Sequence, residues 1–298
     1  MSAAEQEHAS ASMPRKPEML SNAPEELLCS RLERLGEGIE KVVYASQHWV
    51  VKRERSASAI IALILIWKVL RKVAHVLPSR LGDRMLRRPS RIIRLARVLI
   101  QPFVLAVPRS IWLLTHAGEL WRVHRTRDRR GARLARTHLA GTSLIPERVV
   151  FPPTRVRVRG WPGWLVVSQA DERAEQTLYQ RLVALARLRR WDQVEEWLGR
   201  LLEFRQAGWQ RGLFSMDTHL KNFGVIGDRV VLVDTGGLTK RWSEIERRLS
   251  SEQAAAEPHA QLGLQRVLAP RPDIAERFNA RWKDVVNQSG VLRNWPER

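Results

Sequence analysis

The chain has 298 residues, of which 44% are hydrophobic and 28% charged, a balance that excludes a fibrous or wholly disordered protein. Its single cysteine, Cys29, excludes an intramolecular disulfide and a multi-cysteine metal site, and suits a reducing compartment. The formal net charge is +20, and the whole excess lies between Lys52 and Gly160, which hold 25 lysines and arginines against five acids. We expect this segment to face nucleic acid, anionic lipid or a phosphorylated substrate.

The N-terminal residues, Met1 to Pro24, are polar and lack the apolar run of a signal peptide. They predict a disordered tail, which we place at residues 1–30. The next segment, Leu32 to Lys52, has two runs of β-branched and aromatic residues around a polar turn. This pattern predicts strand, turn and strand.

A basic insert, residues 56–108, contains two apolar runs, Ala59 to Trp67 and Val98 to Val107. Both are shorter than the roughly 20 residues that a membrane-spanning helix needs. The sequence favours buried core helices first, helices lying on a membrane surface second and a true span last. All three interpretations remain open at this point.

The rest of the chain predicts a second β-hairpin followed by helices around a small β-loop. The predicted helices are Ile111 to Leu139, Thr177 to Gln210 and most of the chain from Trp242 onward, and the predicted strands are Val149 to Val158, Trp164 to Ser168, Phe223 to Ile226 and Val230 to Val233. Strands first and helices later indicate an α+β fold with two lobes. We place a β-rich N-lobe at residues 31–170, including the basic insert, and a helical C-lobe at residues 171–298.

Three oxygen-bearing side chains are candidates for chemistry in the second half of the chain. Asp217 and Asn222 are five residues apart on a predicted loop, and Asp234 ends a predicted strand before two glycines. Mg²⁺ prefers carboxylate and amide oxygens presented on loops that a rigid strand supports. The alternative is that both aspartates are turn residues that cap local amides.

This stretch resembles the protein-kinase-like superfamily, whose pattern is H-x-D-x4-N followed by D-x-G. Here Ser215 replaces the first histidine, and His219 makes the loop similar to those of small-molecule and lipopolysaccharide-core kinases. The resemblance implies that Asp217 orients or deprotonates the acceptor, and that Asn222 and Asp234 bind Mg²⁺. Lys221 would add charge near the phosphates of ATP, or is an ordinary solvated loop lysine.

The front of the chain carries a second resemblance to the same superfamily. Leu35 to Tyr44 is similar to a glycine-rich phosphate loop, in which Gly36 and Gly38 would approach the phosphates and Val43 would cover the adenine. The run Trp49 to Lys52 is similar to V-A-I-K, which would make Lys52 the phosphate-binding lysine. An ordinary hairpin with an exposed lysine is the alternative.

The lysine of such kinases pairs with a helix glutamate, and this chain offers Glu119 or Asp128 on the predicted helix. Nine residues separate them, so they lie on opposite helix faces and at most one points inward. We favour Glu119 because of its longer reach. The stretch Gln169 to Glu172 is placed as the hinge whose backbone would hold adenine.

Together these resemblances imply an ATP- and Mg²⁺-dependent phosphotransferase. The single cysteine suits the cytoplasm, and the basic excess favours peripheral contact with the inner membrane. The acceptor would be anionic: a lipopolysaccharide core sugar, a phospholipid-linked group or a protein. The run Gly163 to Val167, with Thr177 and Leu178 downstream, also resembles the YrbL-like branch. A catalytically weak pseudokinase on anionic membranes is the alternative. A nucleic-acid-binding protein is disfavoured, because the chain has no recognisable reading motif.

Overall fold

The computed structural model describes residues 18–37, 41–55, 60, 110–160, 162–253 and 256–296. These residues form a mixed α+β structure, with most strands before residue 178 and most helices after it. The strands are β1 (Glu18–Met19), β2 (Arg31–Glu37), β3 (Lys41–Ala45), β4 (Trp49–Glu54), β5 (Arg148–Val158), β6 (Trp164–Glu172), β7 (Gln176–Thr177), β8 (Phe214–Ser215), β9 (Phe223–Ile226), β10 (Arg229–Leu232) and β11 (Leu238–Thr239). The helices are α1 (Glu25–Cys29), α2 (Ser110–His138), α3 (Leu178–Arg187), α4 (Trp191–Gln210), α5 (Trp242–Gln253), α6 (Pro258–Gln261), α7 (Gln265–Leu268), α8 (Pro272–Val285) and α9 (Gln288–Asn294).

The first six strands form one sheet, in the order β1-β5-β2-β3-β4-β6. Because β5 also pairs with β6, five of these strands close into a ring. Residues that alternate along the strands are buried and form one hydrophobic cluster, which includes Val42, Tyr44, Val51 and Val167. The other side chains of β3 and β4, Lys52 among them, therefore point away from this cluster.

The expected disordered tail is wrong for residues 18–30. In the structure, β1 pairs in parallel with Val149 and Val150 of β5, and α1 packs Leu27, which is 0% exposed, into the sheet cluster. The polar composition of this segment hides its few apolar anchors, since Ala23 and Leu27 are separated by charged and polar residues. Residues 1–17 lie outside the part of the chain that the structure describes.

The helical region has its own hydrophobic cluster, built mainly from α3, α4 and the helices after α5. The single helix predicted from Thr177 to Gln210 is two helices, because the chain turns at residues 188–190, where Arg189 has a φ of 55°. A capping box between Thr177 and Gln180 begins α3. Most of the predicted core face is buried, but Leu188 lies in the turn and is 64% exposed, so its placement in the core was wrong.

Helix α2 joins the two regions. It was assigned to the N-lobe, yet Ala135 near its end, together with Leu139 and Leu144 after it, packs in the helical cluster. The predicted helix bounds are confirmed to within one residue at each end. The basic insert, apart from Ile60, lies outside the described residues, and among the residues described no helix is long and apolar enough to cross a membrane.

Candidate functional site

The loop that carries Asp217 is fastened to the segment after Asp234. Strand β8 pairs with β11, and the amide of Met216 donates to the carbonyl oxygen of Gly237 at 2.8 Å. A Cβ atom placed on Gly237 would lie 3.0 Å from the Cβ of Asp217, so the two backbones are in close contact. The carboxylate of Asp217 is exposed, and its Oδ1 accepts a hydrogen bond from the amide of His219 at 3.1 Å.

Asn222 and Asp234, the two predicted metal ligands, are neighbours in space. The carbonyl oxygen of Asn222 accepts the amides of Val233 at 2.9 Å and of Asp234 at 3.4 Å. The Oδ1 atom of Asp234 accepts the amide of Gly236 at 3.0 Å. Backbone hydrogen bonds therefore hold both residues in place, while the Asp234 side chain stays exposed and the Asn222 side chain half-buried.

Lys52 reaches this loop from the sheet. Its Nζ donates to the carbonyl oxygen of Val233, the residue before Asp234, at 3.0 Å. On the sheet, Lys52 lies opposite Val43, and Val43 lies opposite Gly36 on the next strand. These three predicted residues are thus side by side on β4, β3 and β2, whereas Gly38 lies outside the described residues.

The acid that pairs with Lys52 is Asp171, at 3.0 Å, and not the predicted Glu119. Arg148 also donates to the Asp171 carboxylate, at 2.6 Å. Burial alone would raise the pKa of Asp171, but Lys52 and Arg148 together hold that pKa below its ordinary value. Glu119 lies on an exposed part of α2. Asp171 was not predicted as the partner of Lys52, because the strand predicted from Trp164 ended at Ser168, three residues before it.

The acid of α2 that does face the site is Asp128. Its Oδ2 is 2.5 Å from the Nζ of Lys41, which lies within the stretch that resembles a glycine-rich phosphate loop. A Cβ placed on Gly236 would lie 2.8 Å from Oδ1 of Asp128 and 3.3 Å from Oδ1 of Asp234. The two carboxylates therefore flank the same glycine, and a side chain at position 236 would fill the space between them.

Three further predicted residues lie in β6 and in the turn after Asp217. Gln169 lies inside β6, opposite Val150, so the hinge predicted at residues 169–172 is a strand, and the connection to the helical region begins at Arg173. The Nδ1 atom of His219 accepts the amide of Lys221 at 3.4 Å and caps the 3₁₀ turn Leu220–Asn222. Lys221 is exposed at the surface of that turn.

A buried ion pair in the helical region is linked to the loop that carries Asp217. Arg205 of α4 and Glu252 of α5 are 3% and 1% exposed, and their charged groups are 3.2 Å apart. The guanidinium of Arg248 donates to Glu252 at 2.9 Å and to the hydroxyl of Thr218, the residue after Asp217, at 3.0 Å. This chain of contacts connects the core of the helical region to the candidate catalytic loop.

The donor atoms around Gly236 suit a hard cation. Asp128 and Asp234 put two carboxylates around Gly236, and Asn222, whose backbone contacts Asp234, carries an amide oxygen; these are ligand types that Mg²⁺ prefers. Among the described residues no three His, Cys, Asp or Glu side chains form a metal site of their own. A Mg²⁺ ion here would thus complete its coordination with phosphate oxygens and water.

A separate cavity of about 590 Å³ lies away from these residues, next to the turn between β3 and β4. Its lining includes His48, Trp49 and the three acids Glu147, Glu172 and Glu175. Lys52, Asp217 and Asp234 do not line it. The candidate site is therefore defined by converging side chains and not by this cavity.

Neither a protein-family model nor a curated protein sequence matches this chain. Of the predicted site residues, the structure brings together Lys52, Asn222, Asp234 and Asp217, and it adds Asp128 and Asp171.

Proposed function

We propose that this protein is an ATP-dependent phosphotransferase with a two-lobed, protein-kinase-like fold. One observation carries the proposal: the Nζ of Lys52 lies 3.0 Å from the carbonyl oxygen of Val233, although 181 residues separate them in the chain. This contact sets a cation from the sheet beside Asp234. Phosphoryl transfer requires a lysine and metal-binding oxygens to act on the same phosphates, so their proximity is what the activity needs.

Asn222 and Asp234 would hold Mg²⁺, and Asp128 offers a further oxygen on the other side of Gly236. When bound, the ion would neutralise charge on the phosphate oxygens of ATP. Lys52 would bind the same phosphates once its ammonium group turns from the Val233 carbonyl toward them. Gly36 and Val43, on the strands beside Lys52, would lie along the nucleotide.

Asp217 would act on the acceptor. In the transfer, the bond between the γ-phosphorus and the bridging oxygen of ATP breaks, and a bond from the acceptor hydroxyl oxygen to that phosphorus forms. The hydroxyl proton passes to the Asp217 carboxylate, and ADP leaves. The exposed position of Asp217 allows an acceptor to approach it from solvent.

The charge of the chain points to an anionic acceptor. The excess of lysine and arginine lies in the stretch from Lys52 to Gly160, which begins with the candidate phosphate-binding lysine. Such a field attracts phosphorylated or lipid-linked acceptors, among them a lipopolysaccharide core sugar, and anionic protein acceptors as well. It also favours a cytoplasmic protein that contacts the inner membrane peripherally.

Turnover of ATP in the presence of Mg²⁺ tests this proposal. Asp217→Ala is expected to lower kcat by about 10²- to 10⁴-fold, the range for loss of a positioned acid-base group. Asp234→Asn and Lys52→Met are expected to lose turnover too, whereas Asp228→Asn, in the exposed turn between β9 and β10, serves as the matched control. Turnover that is unchanged in all three site variants would refute the proposal.

The acceptor is identified by a second measurement. Transfer of radiolabel from γ-labelled ATP into cell-envelope extracts, compared between wild type and Asp217→Ala, separates enzymatic transfer from background labelling. Label that appears in the lipopolysaccharide fraction only with wild type would assign a core sugar as the acceptor. Label in the phospholipid or protein fraction would assign one of those classes instead.

A nucleotide-binding pseudokinase is the second candidate function. It is favoured by the ion pairs of Lys52 with Asp171 and of Lys41 with Asp128, because both cations are already engaged by carboxylates. This candidate predicts a thermal shift with ATP and no Mg²⁺-dependent turnover. A thermal shift together with turnover that Asp217→Ala removes would exclude it.

A further inference from the structure

A basic and aromatic surface lies on the outer side of the hairpin formed by β5 and β6. Arg155 is paired with Val166, and Arg157 with Trp164, so the four side chains form a two-by-two array on one face. Trp164 is 51% exposed and Val166 62%, which is unusual for adjacent large apolar residues. The neighbouring positions, Leu165 and Val167, are buried in the sheet cluster.

A third strand extends this surface. Arg31 of β2 lies opposite Arg157, and Arg159, just after β5, forms an ion pair with Glu33 at 2.6 Å. We define the hairpin face as the six outward residues Arg31, Arg155, Arg157, Arg159, Trp164 and Val166. Four arginines against the single acid Glu33 leave this face strongly positive.

We propose that the hairpin face docks on the surface of an anionic phospholipid bilayer. Tryptophan side chains settle at the level of lipid headgroups, and valine adds apolar area that the interface takes up. The arginines on the neighbouring strands would pair with lipid phosphates, each basic residue near such a surface contributing about a fivefold increase in binding. The face thus complements a bilayer in both its charge and its exposed apolar residues.

A bilayer suits this face better than a nucleic acid does. The guanidinium of Arg157 lies 4.7 Å from the centre of the Trp164 ring, so one face of that ring is already covered. A base that stacked on Trp164 would have to displace Arg157 or use the other ring face. Val166 contributes nothing to phosphate recognition but adds to insertion at a lipid interface.

The hairpin face and the candidate site are separated along β6. Trp164 and Asp171, the partner of Lys52, are seven residues apart on β6, which is about 23 Å along a strand. An acceptor linked to the bilayer would then meet the site above the headgroups. Membrane docking itself does not rest on the proposed phosphotransferase function, and the two are tested separately.

Co-sedimentation of the full-length protein with vesicles tests the inference. Vesicles of phosphatidylcholine alone are compared with vesicles that also contain phosphatidylglycerol. We expect binding to the mixed vesicles, a drop of about tenfold in partitioning for the double variant Trp164→Ser, Val166→Ser, and about fivefold for each of Arg155→Gln and Arg157→Gln. Leu188→Ser, which removes a 64% exposed leucine from the helical region, is the matched control and should bind like wild type.

Several results would overturn the proposal. These are equal binding to neutral and mixed vesicles, unchanged partitioning of all hairpin variants, or an equal loss in Leu188→Ser. Displacement from vesicles by oligonucleotide with a steep salt dependence, or association of wild type into dimers that the hairpin variants lose, would assign the face to nucleic acid or to a second copy. Circular dichroism of each variant shows that it is folded.

The control for independence from catalysis is Asp217→Ala. That variant is expected to bind mixed vesicles like wild type, while the hairpin variants keep wild-type turnover of ATP in solution without vesicles. Loss of vesicle binding in the hairpin variants with no turnover in any protein would support docking and refute the phosphotransferase. The reverse pattern would refute docking alone.

Discussion

The two sides of the candidate site hold their charged groups in different ways. On the helical side, hydrogen bonds and close contacts of the backbone position Asp217, Asn222 and Asp234, and the two carboxylates remain exposed. On the sheet side, the ammonium groups of Lys41 and Lys52 are themselves bound by carboxylates. Under the proposed function, the helical side would receive a cation without releasing a side-chain partner, whereas the sheet side would have to exchange partners before its lysines bind a phosphate.

This difference has a physical cause. A loop between two short strands can be fixed by its main chain, because amides and carbonyls supply enough hydrogen bonds without the side chains. The ammonium group of a lysine lies at the end of a long flexible side chain, so its position is defined only when a partner binds that group. Removing the contacts that hold each side of the site, one at a time, tests this difference between the two sides.

The largest effect is expected from removing the buried support of the helical side. Glu252→Ala leaves Arg205 charged without its partner in the core, and should lower the free energy of unfolding by about 3–5 kcal/mol. Chemical denaturation measures the change. The control, Glu196→Ala, removes an exposed partner of Arg200 and should cost less than about 1 kcal/mol. Equal costs for the two variants would show that the buried pair does not anchor the loop.

The junction between the two sides should respond next. A Cβ at Gly131 would lie 2.0 Å from the carbonyl oxygen of Thr235, so Gly131→Ala must push α2 away from the loop that follows Asp234. We expect a loss of about 1–3 kcal/mol in the free energy of unfolding. Gly208→Ala, in α4, makes only an ordinary 3.6 Å contact and should be neutral or stabilising. A neutral Gly131→Ala would contradict this packing.

The ion pair on the sheet side is expected to contribute less. A double-mutant cycle with Lys41→Met and Asp128→Asn should give a coupling of about 1 kcal/mol in the free energy of unfolding. The same cycle on the exposed pair of Arg159 and Glu33 should give a coupling of about 0.3 kcal/mol. A zero coupling for Lys41 and Asp128 would mean that this lysine is free to move without exchange.

The smallest effect concerns the pH dependence of the junction. The hydrogen bond from Arg130 to Glu244, opposed by partial burial and aided by Thr239, lowers the pKa of Glu244 to about 2. Because the folded pKa lies below the unfolded value, its stabilisation is complete above about pH 4.5 and is lost as the pH falls toward 2. We expect a contribution of at most about 1 kcal/mol, since the pair is partly exposed. In urea titrations at several pH values, Glu244→Gln should lack that part of the acid-induced loss of stability. The prediction is contradicted if this variant loses as much stability at low pH as the wild type does.

Local patterns in the sequence predicted much of the fold. Alternating β-branched residues indicated β3, β4 and β5, and the apolar period indicated α2 and α4. The spacing of Asp217, Asn222 and Asp234 predicted that they share one loop region, because all three lie within eighteen residues of each other along the chain. These are features that neighbours in the chain decide.

The partners of the lysines could not be predicted in the same way. Asp171 meets Lys52 because of the register between β4 and β6, and Asp128 meets Lys41 because of the rotation of α2. The burial of Leu27 likewise depends on strands far along the chain. The sequence by itself determined the class of the fold and the loop of candidate catalytic oxygens, since these depend on local propensity and spacing. Only the tertiary structure decided which acid faces which lysine, because strand register and helix rotation are set by packing between distant segments.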